Sequence, residues 1–151
     1  MRILIVVALA ASLIVGTGVA TADAAGCTQG KCAKKRAKKL LSNRVFIKFT
    51  QTTGNTNYTS LDQRLHLCRP GNYIYESISY IEVTGTTTEQ RYTGSWRVTR
   101  ARLSPNGKRG TARLRGTPDG GGQAATTRIR WKNGLAWVDG AEVIVDQSDL
   151  C

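Results

Sequence analysis

From residue 43 onward the chain alternates apolar and polar positions with a period of two. "RVFIKF" sets Val45, Ile47 and Phe49 on one face, and "YTGSWRV" does the same for Tyr92, Trp96 and Val98, with Gly94 between them. In "TARLRG" the apolar positions are Ala112 and Leu114, and in "TRIRWK" they are Ile129 and Trp131. A strand with one face in a core and the other in water requires this alternation, because successive side chains point to opposite sides. The expected strands are 43–51, 61–68, 73–83, 90–102, 110–117, 125–132 and 135–146, the last divisible at Asp139-Gly140.

Turn chemistry separates these runs. "RPGN" at 69–72 suits a type II turn, "PNG" at 105–107 and "KNG" at 132–134 are hairpin signals, and "PDGGG" at 118–122 makes a looser connection. The one helix candidate is "KCAKKRAKKLL" at 31–41, with Ala33, Ala37, Leu40 and Leu41 as its apolar stripe. The expectation is an all-β fold, an antiparallel meander of seven or eight strands in a closed or nearly closed barrel. Closure removes the exposed strand edges of a meander. A β-sandwich is the competing arrangement, and a five-stranded oligonucleotide-binding barrel has too few strands.

The N-terminus follows a different pattern. Arg2, the apolar run "ILIVVALAASLIV" at 3–15 and the small residues "ATA" at 20–22 read as a signal peptide over residues 1–22. The run is shorter than the about 20 apolar residues a spanning helix needs, so no transmembrane helix is expected. Removing it leaves 129 of the 151 residues, and loss of Arg2 lowers the formal net charge from +12 to +11. The rest divides into a basic N-terminal arm, 23–42, and a β-barrel-like domain, 43–151, long enough for one core.

Cys27, Cys32, Cys68 and Cys151 all lie beyond the cleavage point. An even set in an oxidising compartment reads as two disulfides with three possible pairings, of which Cys27–Cys32 with Cys68–Cys151 is preferred. Their wide spacing and the lone His66 do not make a metal site, and no cofactor is expected. "AAGC" at 24–27 raises the alternative of a lipoprotein anchored through Cys27, but acylation would leave three cysteines. The expected location is secreted, periplasmic or at the cell envelope. "NYT" at 57–59 fits a glycosylation acceptor.

"LHLCRPGNYIYES" at 65–77 followed by "GSWRV" at 94–98 forms the pattern L-x-L-C-x-x-G-x-Y-x-Y-x-S … G-x-W-x-V. It resembles small exported bacterial β-domains of unassigned function with a lipocalin-like architecture, over roughly residues 43–137. The resemblance implies a barrel. Lipocalins carry G-x-W near their first strand, whereas Gly94 and Trp96 lie mid-chain, so no ligand pocket is carried over. Trp96, Trp131 and Trp137 are expected in the core, as large aromatics between polar neighbours. Tyr73 and Tyr75 share one face of their strand and Tyr80 takes the other.

Charge is the strongest clue to function. Residues 31–48 hold eight basic and no acidic side chains, and residues 91–132 hold eleven basic residues against Asp119 alone. If Trp96, Leu114 and Ile129 point inward, Arg97, Arg113, Arg115, Arg128, Arg130 and Lys132 point outward from three strands as one positive wall. Lys34, Lys35, Arg36, Lys38 and Lys39 of the arm would add to it. A surface kept charged only for solubility intersperses its signs, so segregation points to an anionic partner. The expected partner is an anionic polymer (cell-wall or envelope polymer, acidic polysaccharide or nucleic acid) or an anionic membrane surface.

Two alternatives come from other classes. An eight-stranded barrel can enclose one small apolar ligand as a carrier. A small basic exported protein can also be a ribonuclease-like hydrolase, with His66 as base or acid beside Glu76 or Glu82. His66 alternates with Leu65 and Leu67 and is expected as an outward polar residue. Ser60, Asp62 and His66 are close only in sequence, and no Gly-x-Ser-x-Gly or phosphate-cradling loop is present. The expectation is a non-enzymatic protein.

Overall fold

The computed structural model describes residues 27–53 and 58–151. The signal-peptide reading and the residues before Cys27 lie outside this range, as does Asn57 of the glycosylation motif.

Eight strands, β1 (Arg44–Thr53), β2 (Tyr58–Leu67), β3 (Asn72–Ile81), β4 (Thr86–Leu103), β5 (Arg109–Pro118), β6 (Ala125–Lys132), β7 (Leu135–Val138) and β8 (Ala141–Gln147), follow one helix, α1 (Gly30–Leu41). Every neighbouring pair is antiparallel, and β1 pairs with β8 to close the barrel. The meander is therefore a closed barrel and not a sandwich. The last expected strand divides at Asp139-Gly140, where both residues take positive φ (49° and 90°), as Asn133-Gly134 also do (52° and 90°). Two-residue hairpin turns need this geometry, and Asn-Gly and Asp-Gly adopt it at least cost.

The turn at 69–72 is not type II. The Arg69–Pro70 peptide is cis and Gly71 has φ 152°. Tertiary contacts fix this shape: the Trp96 N–H donates to the Gly71 carbonyl at 2.6 Å, and a Cβ on Gly71 would sit 3.2 Å from the Lys38 amino group and from the Trp96 carbonyl.

Alternation holds through most of the sheet. Trp96, Ala112, Leu114 and Ile129 are buried, and Trp131 packs against them. In β1 the inward face is the opposite of the one expected: Phe46 and Lys48 point into the barrel. Val45 is buried, but Ile47 is half-exposed, and Phe49 and Ile144 are exposed. Closure decides this, because pairing β1 to both β2 and β8 turns its odd positions outward, where Ile47 lies opposite Ile144.

Helix α1 closes one end of the barrel. Alanine, lysine and leucine are strong helix formers, and no β-branched residue interrupts the segment. Ala33, Ala37 and Leu41 form a row four residues apart, with side chains small enough at 33 and 37 to sit close to the strands. They join Phe46, Leu67, Trp96, Ala101 and Leu103 in one core. Leu40 lies at the edge of that row and is 42% exposed, so it is not part of the buried stripe. The segment that reads as an arm is thus a plug sharing the core of the barrel. The Leu103 N–H donates to the Thr28 carbonyl (2.9 Å), and at the other end Ser42 donates to the Lys38 carbonyl from its N–H (3.0 Å) and its hydroxyl (2.7 Å).

Both disulfides pair as preferred, Cys27–Cys32 and Cys68–Cys151. The first clips the start of the helix and the second ties the C-terminus to the end of β2. Such bonds are characteristic of an oxidising, extracytoplasmic environment. Among the described residues no helix is long and apolar enough to cross a membrane, and no metal-binding group is found.

Candidate functional site

The outer face of β4, β5 and β6 carries the cations. Cross-strand register places Arg97 opposite Arg115, Arg100 opposite Arg113, Arg113 opposite Arg128, and Arg109 opposite Lys132. Arg102 and Arg130 flank Thr111 on the same face. All nine basic residues are exposed. Among the described residues none of them forms an ion pair. At ordinary strand spacings the wall measures about 10 Å across and about 20 Å along the strands.

All six wall residues expected from alternation lie on this face. Arg100 and Arg102 do not follow from simple alternation, because β4 carries a bulge between Val98 and Arg100. The Thr99 hydroxyl donates to the Arg113 carbonyl there (3.0 Å). The bulge switches parity, so Ala101 and Leu103 turn inward and Arg100 and Arg102 turn out. The change of apolar positions from Trp96 and Val98 to Ala101 and Leu103 is the signal in the sequence.

Trp137 is a correction. It is half-buried on the outer face, opposite Arg130, whose guanidinium stacks over its ring at 4.3 Å. Strand β7 is four residues long, and its inward positions are Ala136 and Val138. The indole therefore meets a cation and not the core.

The helix cations lie on α1, at the plugged end. Lys34, Lys35 and Lys39 are exposed. Arg36 Nη1 donates to the Pro105 carbonyl in the β4–β5 turn (2.8 Å), and the Lys38 amino group lies over the Trp96 ring at 5.7 Å.

Inside the barrel, above the plug, is a cavity of about 440 Å³ lined by Phe46, Leu65, Tyr73, Tyr75, Leu114 and Val143 among others. Lys48, Gln63, Tyr92 and Asp139 also border it. The Gln63 amide donates to the Tyr75 hydroxyl (2.6 Å), and Tyr75 stacks with Tyr92 at 6.2 Å. Burial pushes the Tyr73 phenol above its ordinary pKa, and the Asp119 carboxylate adds to the shift. A Cβ at Gly94 would run into the Tyr73 ring, so this glycine makes room for a tyrosine. The resemblance carried over no pocket, but the barrel has one.

His66 faces outward from the barrel, yet it is 2% exposed. The C-terminal segment covers it: Nδ1 lies 2.8 Å from the Ser148 hydroxyl and 3.9 Å from Asp149. Among the described residues Nε2 has no hydrogen-bond partner, and the Glu76 carboxylate stands 3.6 Å away. Glu82, Ser60 and Asp62 are not brought to it; Asp62 pairs with Arg64 at 2.8 Å. The imidazole is thus covered by the segment around Ser148 and Asp149.

Fold and sites together define a plugged eight-stranded antiparallel barrel with a basic outer wall and an internal apolar cavity, consistent with a lipocalin-like barrel. No protein-family model, curated protein or solved structure matches the chain.

Proposed function

We propose that this is an exported, non-enzymatic binding domain that docks an anionic polymer or anionic envelope surface on its β4–β6 wall. The observation that carries the reading is the set of four cation-on-cation cross-strand pairs. Like charges directly opposite destabilise a sheet, so folding alone does not favour them. An anion lying across the wall removes the repulsion and releases its own counterions. The test is binding of the disulfide-bonded protein to heparin, to nucleic acid and to anionic vesicles, compared with an Arg113→Glu, Arg115→Glu, Arg128→Glu, Arg130→Glu variant. The variant is expected to fold and to lose binding together with its salt dependence. Unchanged binding to every polyanion would end the proposal.

The cavity favours a second reading, a carrier of a small apolar ligand. Its volume falls within the range of small-molecule sites, about 300–1,000 Å³. A native mass spectrum of gently purified protein that shows added mass, lost on denaturation, supports it; a bare chain does not.

A further inference from the structure

We infer that the plugged end of the barrel holds a second anion site, distinct from the wall and built for a phosphomonoester group. Arg36, Lys39, Leu40, Ser42, Arg44 and Arg69 line a recess of about 520 Å³ between the end of α1, the start of β1 and the β2–β3 loop. Four of the six are cations. Among the described residues no carboxylate stands within 4.0 Å of any of them.

The ordinary role of cations at a helix C-terminus is to meet its free carbonyls and its dipole. Here Ser42 already donates twice to the Lys38 carbonyl, and Lys38 itself lies over Trp96. Arg44 and Arg69 belong to other elements, so helix capping does not account for their convergence with Lys39. The scaffold beneath them is fixed. Asn43, in the left-handed region at φ 59°, accepts the Arg69 N–H on its side chain (3.2 Å) and donates its own N–H to the Leu67 carbonyl. Its carbonyl accepts the Ser148 N–H (3.0 Å). Arg36 is held by its bond to Pro105, and Arg69 follows Cys68, which is bonded to Cys151. The positions from which these side chains reach out are therefore set before any ligand arrives.

The guanidinium forks of Arg44 and Arg69, with Lys39 beside them, match a tetrahedral oxyanion, which takes paired N–H donors on several oxygens, while Arg36, bonded to Pro105, adds its charge. A phosphomonoester carries close to two charges near neutral pH and three free oxygens, so it answers more of the four cations than a singly charged diester does. Leu40 gives the recess one apolar wall for the group bearing the phosphate. The shared chemistry is a phosphomonoester, whether inorganic phosphate, a soluble ester or a lipid headgroup.

The test is titration of the disulfide-bonded protein with inorganic phosphate at constant ionic strength, read by amide chemical shifts. Saturable shifts are expected at residues 36–44 and 69–72, with binding weakened about a hundredfold in Arg44→Gln/Arg69→Gln, each lost charged bond being worth about a factor of ten. Lys39→Gln serves as the milder variant if the double one does not fold. The wall variant should bind phosphate as the parent does, so loss of polymer binding and loss of phosphate binding separate the two proposals. Linear shifts, the same shifts with chloride, or loss only in the wall variant would overturn the inference. Vesicle flotation then locates the source. Flotation on phosphatidic acid exceeding that on phosphatidylglycerol, and lost in Arg44→Gln/Arg69→Gln, assigns a lipid headgroup; equal flotation with phosphate binding intact assigns a soluble phosphate.

Discussion

Two sides of the same barrel treat charge in opposite ways. On β2–β4, Arg64 lies opposite Glu76 and Glu76 opposite Arg91, with Arg91 Nη1 3.4 Å from the Glu76 carboxylate. The Asp62 carboxylate hydrogen-bonds Arg64 and holds its guanidinium still more firmly protonated. On β4–β6, arginine faces arginine or lysine in four places. Both sides share one backbone architecture, so the sheet does not dictate the difference. The paired side is what stability alone selects, and the unpaired side is where, on the function proposed above, an external anion would supply the missing charge.

The largest effect separates the sides by removing the support of one of them. The Cys68–Cys151 bond closes a separation of 83 residues and holds the segment that covers His66. Cys68→Ala/Cys151→Ala is expected to cost about 3 to 5 kcal/mol, as for a long closed loop. Hydrogen exchange should rise around His66 and Val45, while polymer binding by the wall stays unchanged under native conditions. Loss of polymer binding at full folding would show that the two sides are coupled. Within that region His66→Ala is expected to cost about 2 to 3 kcal/mol, since it empties a buried site and removes the bond to Ser148; a loss below about 0.5 kcal/mol by denaturant titration would mean the C-terminal cover holds itself.

The next effect has opposite signs on the two sides. Arg113 faces both Arg100 and Arg128, so Arg113→Thr should raise stability by about 0.5 to 1 kcal/mol at low salt. Glu76→Gln should lower it by about 0.5 kcal/mol, a typical value for a partly exposed pair. Both differences should shrink toward zero near 1 M salt, where the screening length is about 3 Å. Destabilisation by Arg113→Thr would mean that its side chain is knitted into the sheet, and the contrast between the sides would fail.

How far these features could be read from the chain depends on the range of the contacts that set them. Alternation placed Trp96, Leu114 and Ile129 inside and six wall residues outside, because strand parity is local. The inward face of β1 followed closure onto β8, which joins residues 97 to 103 positions apart. The His66 cover likewise rests on Ser148, 82 positions away, and so an outward residue became a buried one. The cavity depends on how far the plug enters the barrel and on where Gly94 admits Tyr73, and neither depth has a period. The phosphate recess draws on α1, β1 and the β2–β3 loop, and a run of lysines and arginines does not show which of them converge.

The smallest effect lies where the charge of the wall segment's lone acid, the exposed Asp119, acts on Tyr73 at the cavity. Asp119 accepts a hydrogen bond from the Thr93 hydroxyl (2.8 Å), and its charge adds to burial in raising the Tyr73 pKa. The folded protein therefore keeps the Tyr73 proton at a pH where the unfolded chain releases it. The contribution of Tyr73 to stability is present in full below the ordinary tyrosine value near 10 and is lost as pH rises through the raised value. Stability of the parent should fall more steeply above about pH 10 than that of Tyr73→Phe, which has no phenol to ionise there. Asp119→Asn should narrow that window while leaving the larger, burial-driven part. Difference spectra of phenolate absorption between the parent and Tyr73→Phe locate the titration directly, and parallel alkaline stability curves for the two proteins would remove Tyr73 from the account. A ligand in the cavity would deepen the burial and push the phenol further up, so the same titration also reports whether the barrel is filled.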